Sequence, residues 1–343
     1  MGKFKVAKKK EFKQTGWRFF QWPIVGVVDV GSNAIRASLA EVGPTGIEES
    51  ETRRFSVRLG NDVFRNGRTI SSATQANLIE AFSQIKNLFD KNKVQFYRAV
   101  ATSALRSAKN KKAILNRILK STQLNVELID SHLEGCLVGH SLSEKYLQGW
   151  TLLLDLGGGS LEMALYHHGH LMRMTSLPLG AVRVLEAEKK LLNEQKRKQK
   201  NSRLKELTAF YSVYVANVYE NDPFMRYFFH QNIKDLHVVG SGGNIRSLYR
   251  LSKKILKRKG SSNPSLKRDD LRLLIQRLEA LSERQRQKKY GLAKDRADVI
   301  VPAGYVFYDI LHYIDIDKIY VPQGVSLRKG ILKEFQKSLI ADV

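Results

Sequence analysis

The sequence predicts a mixed α/β protein built from two copies of one folding unit that face each other across a cleft. Three observations predict it. Short apolar runs of strand length alternate with amphipathic stretches of helix length. Each half opens on the same pattern: a buried run, a glycine turn and a returning run. The two openings also align. VVDVGSNAIRASLA (27–40) lies over LLDLGGGSLEMALY (153–166), with Asp29 over Asp155, Gly31 over Gly157 and Arg36 over Glu162. Duplicated units of this kind place a binding crevice between them.

The 343 residues, 43% of them hydrophobic, suffice for one large or two medium domains. Residues 1–22 are basic and then aromatic and read as an arm. Residues 23–149 read as domain I, completed by a C-terminal helix over 326–343, and 150–325 as domain II.

Within domain I, IVGVVDVG (24–31) is a continuous valine-rich run closed by Gly31-Ser32-Asn33, which predicts a buried strand and a turn. Residues 34–42 alternate and predict the returning strand, and 47–60 a third. Residues 71–92 open on serines and carry Leu78, Ile79, Phe82, Ile85 and Phe89 at helical spacing. Strands are predicted over 96–104 and 125–129, and helices over 110–121 and 131–147.

The pattern restarts with strands over 150–159, 161–169 and 170–180. Residues 181–234 read as helical and basic, and DLHVVGSGGNIRSLYRL (235–251) as a strand running through a glycine turn into a helix. Helices follow over 266–289 and 296–314, then a strand, a turn and a last helix over 318–339.

Three turns share one design: Asp29 to Asn33, Asp155 to Ser160, and Gly240 to Asn244. Each follows a buried run. Backbone N–H groups in such turns bind anions, and glycine removes the Cβ that would block the approach. Glycine turns are common, and tight hairpin geometry is the plain alternative. Three together, two bearing an aspartate, point to a phosphate. Carboxylates beside a phosphate repel it unless a cation lies between, so Asp29, Asp155 and Glu162 point to Mg²⁺ or a similar hard ion. Taken alone, Asp29 also fits a turn residue bonded to its own backbone. Glu134 by itself reads as a first-turn helix glutamate, and Arg106 as a surface arginine.

Charge narrows the partner. Lys and Arg number 58 against 33 Asp and Glu, a net of +25. Such a chain attracts polyanions such as polyphosphate, phosphorylated nucleotides or nucleic acid. A basic track over Lys196–Lys205 would suit polyphosphate by counterion release. No compact nucleic-acid motif is present and aromatics do not interleave the basic runs, though the charge leaves nucleic-acid binding open. Cys136 is the one cysteine, which rules out an intrachain disulfide and fits a reducing cytoplasm. No run approaches the ~20 apolar residues of a membrane span.

From about residue 24 onward the sequence resembles the exopolyphosphatase / guanosine pentaphosphate phosphohydrolase family, of the actin and sugar-kinase superfamily. The resemblance is carried by VVDVGSNAIRASLAEV, RLGNDVFRNG, VATSALRSAKN, LLLDLGGGSLEM, TSLPLGAVR, VVGSGGN and RADVIVPAG, and ATSALR followed by DLGGGSLE is its specific part. It implies two ribonuclease-H-like domains with a phosphate cleft between them. It implies Mg²⁺-dependent hydrolysis of terminal phosphoanhydride bonds in polyphosphate or guanosine pentaphosphate, and allows a homodimer. It places Glu134 as general base, Arg106 and Ser103 in the phosphate cleft, and Asp155, Glu162 and Asp29 at the metal. Gly31, Ser32, Asn33 and Arg36 then serve the first phosphate loop. Gly157, Gly158, Gly159 and Ser160 serve the second, and Gly240, Ser241, Gly242 and Gly243 the third. Two positions depart from the family pattern. Leu133-Glu134-Gly135 stands where two acids and an alanine are usual, and Asn244 where a serine or threonine is expected.

The favoured reading is exopolyphosphatase chemistry. Guanosine pentaphosphate hydrolysis is the first alternative. A kinase or ATPase of the same superfamily is the second, and a catalytically weak polyanion sensor the third.

Overall fold

A computed structural model describes residues 22–341 except 66, 198–202, 232 and 259–261. Of residues 194–197, 203–209, 212 and 341 it describes the backbone alone. Most of the expected basic arm and the side chains of the Lys196–Lys205 track lie outside the described residues.

The chain opens on β1 (Ile24–Val30), β2 (Ile35–Gly43) and β3 (Gly46–Phe55), an antiparallel meander. Helices α1 (Leu59–Arg65) and α2 (Ser72–Lys91) follow. Ser71 caps α2 by accepting from the Thr74 N–H. Leu78, Phe82, Ile85 and Phe89 line its buried face, and the Phe89 ring fills the space beside Gly26, where a Cβ would stand 2.5 Å from it. Next come β4 (Phe96–Ala101), α3 (Ser103–Ser107), α4 (Lys111–Thr122), β5 (Val126–Leu128) and α5 (Ser131–His140). The first sheet has the order β3-β2-β1-β4-β5, with β4 parallel to β1 and β5 parallel to β4. Val25, Val27 and Val28 are all fully buried, so β1 needs no polar face.

The second half repeats the meander with β6 (Trp150–Leu156), β7 (Leu161–His167) and β8 (His170–Leu177). Helices α6 (Ala181–Arg197), α7 (Arg203–Tyr219) and α8 (Pro223–His230) lead to β9 (His237–Ser241) and α9 (Gly242–Ile255). Then come β10 (Ser265–Lys267), α10 (Arg268–Glu279), α11 (Glu283–Tyr290), α12 (Lys294–Ala297), α13 (Ile300–Tyr313), β11 (Lys318–Tyr320) and α14 (Leu327–Ala341). The sheet order is β10-β11-β9-β6-β7-β8. The chain is therefore α/β with two mixed sheets, as the sequence predicts.

Several boundaries differ from expectation, each for a local reason. The third strand ends at Phe55, because Leu59 and Val63 turn inward on α1 and the Gly60 N–H bonds to the Ser32 carbonyl. The strand over 96–104 stops at Ala101, where α3 begins beyond Thr102. The helix over 131–147 ends at His140, where the Ser141 hydroxyl bonds back to the Val138 carbonyl. The helix over 266–289 breaks at Ser282, which starts α11 with a capping box to Gln285. Asp222 and Pro223 start α8 anew, since proline suits a first helical turn and not an interior.

Each sheet has its own apolar core, and a third core joins them. The third draws Val25 and Val27 from the first sheet, Leu153 and Val239 from the second, and Leu137 and Ile331 from α5 and α14. At Gly330 the Leu137 carbonyl oxygen lies 1.6 Å from where a Cβ would be, so any side chain there would force α14 off α5. The two lobes are thus packed together by this third core, and the cleft lies beside it at the strand ends.

Candidate functional site

The three glycine turns meet in one cleft. It encloses about 810 Å³, the open mouth included, and its walls hold the turns after β1, β6 and β9. The first two turns are closed by the same bond at equivalent positions. The Gly31 N–H donates to the Ala34 carbonyl at 3.2 Å, and the Gly157 N–H to the Ser160 carbonyl at 3.0 Å. The ladders agree too, with Asp29 opposite Arg36 and Asp155 opposite Glu162.

The turns touch each other. A Cβ on Gly158 would stand 2.9 Å from the Ser32 Cβ, and one on Gly159 would stand 2.4 Å from the Ser103 hydroxyl. The second turn is also braced from behind by α6. The N–H groups of Ala181, Val182 and Arg183 take the carbonyls of Gly157 and Gly158, and the Arg183 Nε takes that of Gly159 at 2.9 Å. Gly180 makes this approach feasible, since a Cβ there would overlap the Gly159 backbone at 2.2 Å. In the third turn Gly242 has φ +90, which favours glycine, and stands with its would-be Cβ 2.8 Å from an Asp155 oxygen.

Four acids meet at the junction, Glu134 and Glu162 buried, Asp29 and Asp155 partly so. Glu134 sits in the first turn of α5, where the Asp130 carboxylate caps the Leu133 N–H at 2.7 Å. Burial first and the nearby Glu162 second push the Glu134 carboxyl well above the ordinary glutamate range. Arg106 eases that shift, while Asp155 and Asp29 add to it. Burial pushes Asp155 up to about 6, with the Ser241 hydroxyl and Arg246 easing the shift. Glu162 is pushed up to about 7, again by burial first, although its Oε1 accepts from Ser160 at 2.6 Å and Ser176 at 3.0 Å. Asp29 is raised by burial and eased by Arg36, whose Nη1 is 3.7 Å away, and by Arg328.

Facing the acids are four arginines: Arg36, Arg246, Arg296 and Arg328. Burial pushes Arg296 down to about 9, with Arg36 and Arg54 as the next causes. Cations packed this closely in a partly dry site create a strong demand for an anion.

The structure brings most of the expected residues to the cleft wall: Asp29, Gly31, Ser32, Asn33, Arg36, Ser103, Glu134, Asp155, the whole second turn, Ser241, Gly242 and Gly243. Three lie elsewhere. Gly240 is inside the second sheet, where a Cβ would meet Ile245 and Ile319. Arg106 stands behind the wall and bonds the Ile129 carbonyl at 2.7 Å, the Ser131 hydroxyl at 2.8 Å and Glu134 at 3.4 Å. Glu162 lies behind Ser160, held by the two serines.

Sequence reasoning misses Arg246, Arg296, Arg328 and Thr102, which also line the cleft, as does Asn244 at the end of the third turn. Arg246 follows the third turn by one helical step, and Arg296 opens RADVIVPAG, so both lay next to segments already singled out. Asn244 explains its own departure from a hydroxyl residue. Its amide donates to the Leu156 carbonyl at 2.9 Å while its oxygen accepts from Arg296. Gly135 is likewise accounted for, because the Met174 methyl fills the space an alanine Cβ would occupy, 2.4 Å from it.

The residues fit a hard divalent cation. Among the described residues no group of three or more His, Cys, Asp or Glu side chains is placed to hold a metal. Asp29 and Asp155 nonetheless both face the cleft. Mg²⁺ is commonly held by one or two carboxylates, with waters and phosphate oxygens completing its shell.

Known proteins bear on this geometry. The exopolyphosphatase of Cytophaga hutchinsonii shares the fold at a TM-score of 0.79 and 21% identity, over 92% of this chain and 98% of that one. An Aquifex aeolicus family member does so at 0.71 and 22%, over the same shares. A Fusobacterium nucleatum bifunctional 3-dehydroquinate synthase/phosphatase is 24% identical over 331 residues, which is 89% of this chain and 46% of that protein. Exopolyphosphatase 1 of Mycobacterium tuberculosis is 28% identical over 165 residues, 47% of each. The chain thus spans about half the length of the curated relatives it matches. No helix among the described residues is long and apolar enough to cross a membrane. Residues 40–339 match the sequence profile of the Ppx/GppA phosphatase family, and the chain belongs to it.

Proposed function

We propose that this protein is an exopolyphosphatase-type hydrolase that releases terminal phosphate from inorganic polyphosphate. Residues 23–149 with α14 form one lobe, and 150–325 the other. One observation carries the reading. Glu134, a buried carboxylate in the first turn of α5, projects into a cleft otherwise walled by glycine turns, arginines and the two aspartates Asp29 and Asp155.

Such a site suits attack by water on a terminal phosphate. The amides of the first two turns and the Ser32 and Ser103 hydroxyls take the terminal phosphoryl oxygens. Arg36, Arg246, Arg296 and Arg328 take the anionic chain behind it, since guanidinium groups pair with phosphate oxygens in two-point contacts. Glu134 accepts a proton from the attacking water. Arg106 keeps Glu134 oriented. Asp29 and Asp155 would hold Mg²⁺, which supplies charge neutralisation at the phosphoryl oxygens. Glu162 acts one step back, fixing the Ser160 hydroxyl.

The test is phosphate release from long polyphosphate, short polyphosphate, guanosine pentaphosphate and ATP, each with Mg²⁺. Polyphosphate is expected to be hydrolysed fastest. Preference for guanosine pentaphosphate or ATP would replace the substrate, and no release from any of them would sink the hydrolase reading.

A further inference from the structure

Besides the shared core and the touching turns, the molecule has a further connection between its lobes, at the rim of the cleft. It involves α12 and the residue after it. Asp295 and Asp298 lie one helical turn apart and are both buried, at 4% and 7% exposure. Both point across to the first lobe. Arg54, near the end of β3, bonds the Asp295 carboxylate, and the Ser56 hydroxyl bonds the same oxygen at 3.3 Å. Arg58 Nη1 bonds Asp298 Oδ2 at 2.6 Å. The Asn33 amide of the first glycine turn donates to the Asp295 carbonyl at 2.6 Å.

Between the two aspartates stands Arg296, which faces the other way. It lines the cleft and bonds Asn244 on the third turn. Two faces of one short helix therefore carry two jobs. One is gripped by the opposite lobe and the other presents a cation to the anion site.

The grip is incomplete. Arg58 Nε and Nη2 and Asp298 Oδ1 are buried without a hydrogen-bond partner among the described residues. Burial of an ion pair costs desolvation that the attraction repays only when the remaining donors and acceptors are satisfied. This pair is a poor glue by itself, so it selects a geometry more than it stabilises one. The crowding of Arg296 by other arginines works against the closed arrangement and is relieved by an anion.

We propose that Arg54 and Arg58 are positioning residues that form an interlobe clasp on Asp295 and Asp298, so that clasping and the seating of a condensed phosphate on Arg296 reinforce each other. Linkage makes the effect reciprocal: an anion that favours the closed clasp is bound more tightly by it. The inference rests on the cleft taking condensed phosphates, and it adds how the site is assembled.

The test uses the full chain with Mg²⁺ and methylenediphosphonate, whose P–C–P link resists hydrolysis. Lobe separation is read by small-angle scattering and binding by calorimetry. The wild type is expected to close on binding. Arg58→Gln is expected to stay open and to bind roughly tenfold more weakly, within the usual range of about 5- to 150-fold for such a coupling. In turnover, KM for polyphosphate rises while kcat moves less than about threefold, whereas simple instability would lower apparent kcat at unchanged KM. Arg58→Lys, which keeps the charge and loses the fork, is expected to fall between the two. It is read in the same way if Arg58→Gln does not fold. Wild-type closure and affinity in these variants would overturn the clasp, and so would a wild type that neither binds nor closes. Binding and closure without phosphate release from any substrate would leave the clasp standing and remove the hydrolase reading instead.

Discussion

The hairpins β1–β2 and β6–β7 have the same backbone and opposite electrostatics. Both run antiparallel into a turn closed by one N–H to carbonyl bond, and both place an aspartate one residue before the strand's end. In the first, the residue across the ladder is Arg36, and the Asp29 carboxylate has a cation 3.7 Å away. In the second it is Glu162, and two acids stand opposite each other with pKa values pushed up to about 6 and about 7. The lesson is that duplication supplied the frame and one ladder position set the charge. The first hairpin carries its own counter-ion, while the second calls for one from outside.

The largest test concerns the residue both hairpins serve. Glu134→Gln is expected to lower phosphate release by roughly 10²–10⁴-fold, the usual worth of a general base. Wild-type turnover in a folded variant would show that the hairpins suffice without it. The next test separates the hairpins. Asp155→Asn should raise the Mg²⁺ concentration needed for half-maximal rate, with little change in KM at saturating metal. Arg36→Gln should do the reverse, raising KM by roughly 10- to 100-fold for a lost charged hydrogen bond of about 1.5–3 kcal/mol. Equal shifts in metal dependence for both variants would break the comparison.

A smaller effect probes the frame. The second turn is braced by α6 through Gly180, whereas a Cβ on Gly31 would meet the Ala34 carbonyl only at 3.2 Å. Gly180→Ala should lower stability by about 1–3 kcal/mol as overpacking does, and Gly31→Ala by less. Chemical denaturation of both variants checks the order.

The smallest effect isolates burial from repulsion. Asp309 on α13 is pushed up to about 7 by burial alone, and its Oδ2 has no hydrogen-bond partner among the described residues. Its folded pKa exceeds its unfolded one. The stability linked to its proton is therefore complete below the ordinary aspartate range and is lost as pH rises through about 7. Asp309→Asn should flatten that loss, which a series of melting temperatures between about pH 5 and pH 8 would reveal. An unchanged slope would show that burial alone does not hold this proton.

The hairpins and the three turns were legible in the sequence because glycine and buried aspartate leave local marks. So was Glu134, through its place in a family pattern. Arg246, Arg296 and Arg328 were not, because an arginine on a helix reads as a solvated face unless the partner lobe is known. The end of β3 was missed since Leu59 and Val63 fit a strand's alternation as well as a helix's buried stripe. The role of Glu162 was half legible. Its ladder position followed from the repeat, while the two serines that hold it come from turn geometry and from β8.

The close crossing at Gly330 has a consequence for how the protein is made. The helix bearing Glu134 is covered by α14, and the Ser326 N–H donates to the Ser141 hydroxyl from 185 residues away. At roughly 5–20 residues per second, a ribosome needs about 10–40 s to supply that cover. For most of that interval, once residue 167 has been made, the growing chain holds both hairpins, yet Arg328 and the cover of the α5 helix are still missing. Translation itself therefore delays the assembly of a working cleft until nearly the whole described chain has been made.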